Sequence, residues 1–561
     1  MIPSLFTALV AGVGLAAAVP ACKPVSDPQV TIRNGTYRGT RDTHYHHEKF
    51  LGMPYAQPPV GSLRFRPPQS LNSSWDDVRN ATAFSPMCIG YGSDTWVLGN
   101  YVSEDCLKLN VVRPKGVNAH DKLPVAVWIH GGAYQYGSSS DPRYNLSYVV
   151  AKSEAMGQPI VAVSLNYRLQ NWGFMFTEAL AEEGSTNVGY RDQRLAMHWV
   201  QENIAAFGGD PRKVTVFGES AGSMSIATHL VAYGGRDDHL FRSAIMQSGS
   251  ALPTLRKHLT TADWQPYWVA LLNQTSCTSA TNAAALQCLR AMDAHKLSNI
   301  FNSSFAPYPG ITAAIDGDFL TESSTYAVRG GKMLAVPIIM GTNTDEGTAF
   351  GTTGIDTDAE FIAYLKTTGL TDAMASRVLE MYPDDPAIGI PKTYTGRPTD
   401  PWGAQFKRVS AYRGDYFMTG PRRLTTEVNA GKGADTYSYD FDVLNSGIPN
   451  IIGSTHFQEI PYMFNNTLGA GFETAVATNP LAGKGQNYFD LVDLMSRMWV
   501  SFVNHMDPNQ HGVAGTPIWP KYTLDKPQNI VFNANVSHLS YVEDDTYRAE
   551  GMKYIVEDIY A

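Results

Sequence analysis

The sequence predicts an α/β fold, with a large, mostly parallel central sheet flanked by helices. Strand-like runs at 125–130, 160–166, 214–218, 244–247, 336–341 and 436–440 alternate with helical patterns along the chain. One of them, Val214-Thr215-Val216-Phe217, runs into Gly218-Glu219-Ser220-Ala221-Gly222 and continues as the helix-like Ser223-Met224-Ser225-Ile226-Ala227. No low-complexity linker or fixed-period repeat interrupts the chain, so its 561 residues read as one domain despite their length.

Taken in order, residues 2–21 are rich in Ala, Val and Leu and end in Ala16-Ala17-Ala18 and Val19-Pro20-Ala21, which suits a signal peptide over 1–21. The stretch starts without Lys or Arg, and a membrane anchor is the alternative. Residues 22–561 are then read as a single domain, which the motifs below mark as catalytic. His44 and His46, in His44-Tyr45-His46-His47, would share one face of a strand leading to Phe50 and are read as a solvated face rather than metal ligands. The run 125–130 breaks into His130-Gly131-Gly132-Ala133-Tyr134, where small residues let backbone N–H groups approach a substrate oxygen. Leu195, Trp199 and Val200 share a face of a helix leading to Asn203, and Leu494, Met498, Trp499 and Phe502 share another. Both stripes are read as core.

In the run ending at Gly222, glycines two before and two after Ser220 let strand and helix approach, and the helix start aims free N–H groups at the serine. After 336–340, Gly341-Thr342-Asn343-Thr344-Asp345-Glu346-Gly347 puts a carboxylate at a strand end. Gly453-Ser454-Thr455-His456-Phe457 then supplies a histidine in a loop. The chain order of serine, acid, histidine is that of α/β-hydrolases. In that chemistry Ser220 attacks a carbonyl, His456 takes and returns the proton, and the acid fixes the imidazole. The N–H groups of Gly132, Ala133 and Ala221 form the oxyanion hole.

The chain resembles the type-B carboxylesterase/lipase family, which includes the cholinesterases, in a fungal-type secreted form. The likeness rests on Phe50-Leu51-Gly52-Met53-Pro54-Tyr55-Ala56, Ser103-Glu104-Asp105-Cys106-Leu107, Asn187-Val188-Gly189-Tyr190-Arg191-Asp192-Gln193, Phe207-Gly208-Gly209-Asp210-Pro211 and Asp507-Pro508-Asn509, beside the segments above. The resemblance implies that Glu346 rather than Asp345 is the acid, and that Ser248 hydrogen-bonds it. It also supports pairing Cys88 with Cys106 and Cys277 with Cys288, each bond contributing about 3 kcal/mol in the loop-entropy model. Cys22 is left over. One departure is Ala133, where the family usually has Gly; its methyl would narrow the space beside the oxyanion hole.

A formal charge of −9 without a long Lys/Arg run argues against nucleic acid as a partner. No phosphate loop and no metal-type cysteine spacing occurs, so no cofactor or metal is expected. Beyond residue 21 no stretch approaches a membrane span, so no stable membrane insertion is expected. Sequons at Asn34, Asn72, Asn80, Asn145, Asn273, Asn302, Asn465 and Asn535 fit a secreted, extracellular glycoprotein carrying N-linked glycans.

The substrate expected is a small-molecule ester. Cys88 and Cys106 enclose only 17 residues, whereas in lipase members this loop is a long lid, so an esterase without strong interfacial activation is expected. A lipase acting on long-chain acylglycerols is the alternative. Trp96 and Glu219 resemble the cholinesterase pattern that attracts quaternary ammonium, a narrower choline-ester reading. A binding member that lost its chemistry is the rival of another class; such proteins typically lack a triad residue.

Overall fold

Residues 27–92, 101–475 and 478–560 are described by the structure, a computed structural model. Its main sheet has 11 strands: β1 (Thr40–Asp42), β2 (His47–Pro54), β3 (Lys108–Pro114), β4 (Leu123–Ile129), β5 (Val161–Leu165), β6 (Gly209–Glu219), β7 (Ser243–Gln247), β8 (Ile338–Asn343), β9 (Thr436–Phe441), β10 (Gln528–Phe532) and β11 (Ser540–Asp544). Their spatial order is β11-β10-β9-β8-β7-β6-β4-β5-β3-β2-β1. From β10 across to β5 every pairing is parallel. Antiparallel strands finish both edges.

The alternation of side chains explains why the parallel block reads as apolar runs. In β4, Val125, Val127 and Ile129 enter one core while Ala126 and Trp128 enter the core on the opposite face, and all are buried. Helix α1 (Val188–Asn203) buries Trp199 and Val200 on the first face, with Leu195 half-buried beside them. Helix α2 (Ala221–Val231), which follows β6, is buried along its length. On the other face α3 (Gln486–His505) buries Leu494, Met498, Trp499 and Phe502.

The last strands are tied to the body by a buried ion cluster. Arg422 donates to both oxygens of Asp545, at 2.5 and 3.0 Å, and Arg423 and Tyr522 donate to the same carboxylate. Burial opposes the charge, but the two guanidiniums prevail and hold the Asp545 carboxyl well below the usual range.

The histidine tract departs from the expected strand. His44 and His46 sit, exposed, in the turn between β1 and β2, with His46 at φ 57°. The cause is local: the Asp42 carboxylate accepts the N–H groups of His44 and Tyr45, at 2.9 and 3.1 Å, and turns the chain before it can extend. His47 opens β2, is buried, and meets Glu154 at 2.9 Å. Among the described residues no three His, Cys, Asp or Glu side chains gather as metal ligands.

Cys88–Cys106 and Cys277–Cys288 are bonded. Residues 1–21, Cys22 and Trp96 lie outside the described residues. Asn72, Asn80, Asn273, Asn302 and Asn535 are exposed, while Asn34 and Asn465 are half-buried. Asn145 caps the helix Leu146–Ala155 by accepting the N–H of Ser147, whose side chain is buried. No described helix is long and apolar enough to cross a membrane.

Candidate active site

The junction of β6 and α2 forces Ser220 into φ 55°, ψ −123°, a conformation that side chains seldom adopt. Its N–H donates to the Gln247 carbonyl at 2.9 Å, and its own carbonyl accepts from Met224, the first turn of α2. The two flanking glycines are steric necessities. A Cβ on Gly218 would lie 2.7 Å from the Ile129 carbonyl oxygen, and one on Gly222 only 2.0 Å from the same atom. Strand β4 therefore runs against the start of α2, and the turn after β4 arrives beside the serine.

That turn is held by two groups. Burial keeps His130 neutral, with its pKa pulled down to about 4, and its Nδ1–H donates to the Gly131 carbonyl at 2.8 Å. Tyr167 stacks on the ring and donates to the His130 carbonyl at 2.9 Å. A Cβ on Gly131 would stand 3.1 Å from the Ser220 Cβ, so turn and serine touch. Gly132 and Ala133 follow at φ 100° and 53°. Among the described residues, the N–H groups of Gly132, Ala133 and Ala221 are committed to no internal hydrogen bond. Ala133 is exposed, so its methyl stands at the open rim.

Glu346 lies in the turn directly after β8, and His456 in the loop after β9. Glu346 Oε2 accepts from His456 Nδ1 at 2.7 Å. Its other oxygen accepts from the Ser248 hydroxyl and from the Asn343 N–H, the latter at 2.9 Å. Asp345, its neighbour, turns away to Ser454. The Phe350 ring packs edge-on against the imidazole, with centroids 4.9 Å apart.

The second ring nitrogen, His456 Nε2, lies 3.1 Å from Oε1 of Glu219, the residue before Ser220. Among the described residues no hydrogen bond joins the Ser220 hydroxyl to the imidazole. In unliganded catalytic sites this link is often long and closes with substrate bound.

Glu219 is 1% exposed. Its carboxyl is pushed well above the usual range by burial, reinforced by Glu459 and Glu346. Burial pulls His456 down, but Glu346 and Glu219 prevail and raise it to about 9. Glu459, also buried, accepts from Gln247 at 3.0 Å and from Asn343 at 2.9 Å. Facing the imidazole, the Glu219 carboxylate is not turned outward to meet an ammonium group.

The geometry therefore joins Glu346, His456 and Ser248 by hydrogen bonds and brings the turn that carries Gly132 and Ala133 against Ser220, with Ala221 the next residue along the chain. Reading the sequence missed Glu459, Asn343, Gln247 and Phe350, and missed that Glu219 faces the histidine. For Glu219 and Asn343 the signal was position alone, next to Ser220 and at the end of β8.

The carboxylesterase family model matches residues 26–550. The chain belongs to the carboxylesterase family. It is accordingly a carboxylic ester hydrolase. The enzyme is 36% identical over 535 residues to "Lipase 2" of Diutina rugosa, covering 88% of this chain and 90% of the relative. It is 33% identical to "Secreted lipase 1" of Botryotinia fuckeliana (strain B05.10), covering 91% and 90%. Among solved structures, Aspergillus niger EstA matches with a TM-score of 0.81 at 28% identity, over 95% of this chain and 98% of that one.

Proposed function

We propose that the enzyme cleaves esters through an acyl-enzyme on Ser220. The Ser220 oxygen attacks the carbonyl carbon and its proton passes to His456 Nε2, while the negative oxygen is received by the N–H groups of Gly132, Ala133 and Ala221. Collapse returns the proton to the leaving alcohol. Water, deprotonated by His456, then releases the acid and restores the serine. Glu346 accepts the Nδ1–H throughout and stabilises the imidazolium, and Ser248 holds Glu346. The observation that carries this reading is the 2.7 Å contact of His456 with Glu346 on one side, with its other nitrogen turned to the residue before Ser220.

The substrate class we infer is a soluble or modestly apolar carboxylic ester. A second reading, lipase action on long-chain acylglycerols, is favoured by the names of the relatives. We also infer that residues 1–21 are a secretion signal, that exposed sequons carry glycans and that residues 22–561 act as one catalytic domain; site residues drawn from positions 131 to 456 support the last.

The test is hydrolysis of p-nitrophenyl esters of increasing acyl length by the enzyme and by Ser220→Ala. Short-chain preference lost by ~10⁴-fold or more in the variant supports the esterase reading. Long-chain preference with the same loss moves the substrate to acylglycerols. Activity retained in Ser220→Ala refutes the mechanism.

A further inference from the structure

Asp345 precedes the proposed acid, yet it is 1% exposed and directed at a different partner. Its Oδ2 accepts the Ser454 N–H at 2.8 Å, and its own N–H donates to the Ser454 carbonyl at 2.9 Å. This reciprocal pair fastens the turn after β8 to the loop two residues before His456. Gly453 completes the fit. It sits at φ 67°, and a Cβ there would lie 2.1 Å from Oδ2 of Asp345 and 2.7 Å from Pro391 Cβ, so the carboxylate rests on bare backbone.

Flanking bonds reach the same loop. Asn343 Nδ2 donates to the Thr455 carbonyl at 2.7 Å, and Thr348 Oγ1 lies 2.8 Å from both the Ile452 carbonyl and the Thr455 hydroxyl. On the other side of His456 the chain leaves through Phe457 at φ 75°. The histidine is thus carried on a short span between a fixed clamp and a constrained exit. The turn that holds the loop is also the turn that presents Glu346 to the ring. Adjacent carboxylates divide the task, one gripping the imidazole and the other the backbone that carries it.

We propose that Asp345 is a positioning residue for ester hydrolysis, setting through Ser454 the placement of His456 between Glu346 and Ser220. The proposal rests on the reading of Ser220 and His456 as nucleophile and base.

The test compares Asp345→Ala, Asp345→Asn and Gly453→Ala with the full-length enzyme, reading kcat, KM and the thermal midpoint on a p-nitrophenyl ester. Alanine removes the acceptor for the Ser454 N–H, and the imidazole loses its alignment. kcat falls about 10²-fold, the scale of a 1 Å misplacement, while KM is unchanged and the protein remains folded at the assay temperature. Asparagine still offers Oδ1 to Ser454 and recovers most of the rate. Gly453→Ala drives a methyl into the carboxylate and lowers kcat in the same manner. A wild-type kcat in Asp345→Ala, a loss confined to KM, or no recovery with asparagine overturns the proposal.

If Asp345→Ala does not fold, Gly453→Ala decides, and an unchanged kcat there overturns it. Failure of the underlying reading is recognised separately, because Ser220→Ala then retains activity.

Discussion

Replacing Glu219 by Gln moves the acid limb of ester hydrolysis to lower pH. Glu219 Oε1 stands 3.1 Å from His456 Nε2, the nitrogen that receives the serine proton in the mechanism we propose. At that separation and an effective dielectric of about 20, the gross attraction between imidazolium and carboxylate is about 5 kcal/mol. Desolvation offsets part of this, since both groups are largely buried.

The net outcome is an imidazole held at about 9 against an ordinary 6.5, with burial acting downward and Glu346 and Glu219 acting upward. A pH unit corresponds to about 1.4 kcal/mol, so removing the smaller of the two opposing charges lowers the limb by about one unit. The sign follows from the role. The base works only when neutral, so activity is lost as pH falls through its pKa, and lowering that pKa extends activity toward acid.

The direction is the same whether the proton of the pair resides on His456 or on Glu219, whose own carboxyl is raised by burial. In either case the proton must leave before Nε2 accepts one from Ser220. The assay is kcat/KM against pH for a short-chain p-nitrophenyl ester. A limb that stays in place or moves upward in Glu219→Gln refutes the electrostatic reasoning.

Gly222→Ala places a methyl 2.0 Å from the Ile129 carbonyl oxygen and pushes α2 off β4. It lowers stability by about 1–3 kcal/mol in urea unfolding, and the displaced Ser220 turns over 10- to 100-fold more slowly, on the order of a 1 Å misplacement. Arg422→Leu leaves Asp545 with Arg423 and Tyr522 but without its fully buried partner, and the folded state loses ~3 kcal/mol, the lower end for a broken buried pair. Because Asp545 is held below its unfolded pKa, its contribution is fully present above that unfolded value, about 3.9, and fades as pH falls toward the depressed one. The variant therefore unfolds earlier at pH 7 but converges toward wild type in acid, a trend that urea midpoints at several pH values will check.

What the sequence made legible follows from burial. The six runs read as strands are all in the parallel block, where both faces are covered; five are mainly apolar, and 436–440 alternates tyrosines with the buried polar Thr436, Ser438 and Asp440. The edge strands were less visible. β3 reads Lys108-Leu109-Asn110-Val111-Val112-Arg113-Pro114, with Asn110 and Arg113 buried through hydrogen bonds and an ion pair that no periodicity announces. β11 is largely half-exposed, and β1 is part of the short hairpin whose turn holds the misplaced histidines.

At the site, Ser220 and the Gly131–Gly132 turn stand out because their backbone geometry demands glycine at fixed offsets. Glu346 and His456 needed the family pattern to be chosen among similar loop residues. The contact of Glu219 with His456 and the tie between Asp345 and Ser454 join segments more than 100 positions apart. Such contacts are products of loop packing, with no local signature.

Whether Ser220 forms the covalent intermediate is decided by titrating the enzyme with a p-nitrophenyl phosphonate and mapping the adduct by peptide mass spectrometry. The expected result is one equivalent of p-nitrophenol released, one phosphonyl group on Ser220, and activity lost in proportion. Activity lost with the label on another residue, or full labelling of Ser220 with activity intact, contradicts it.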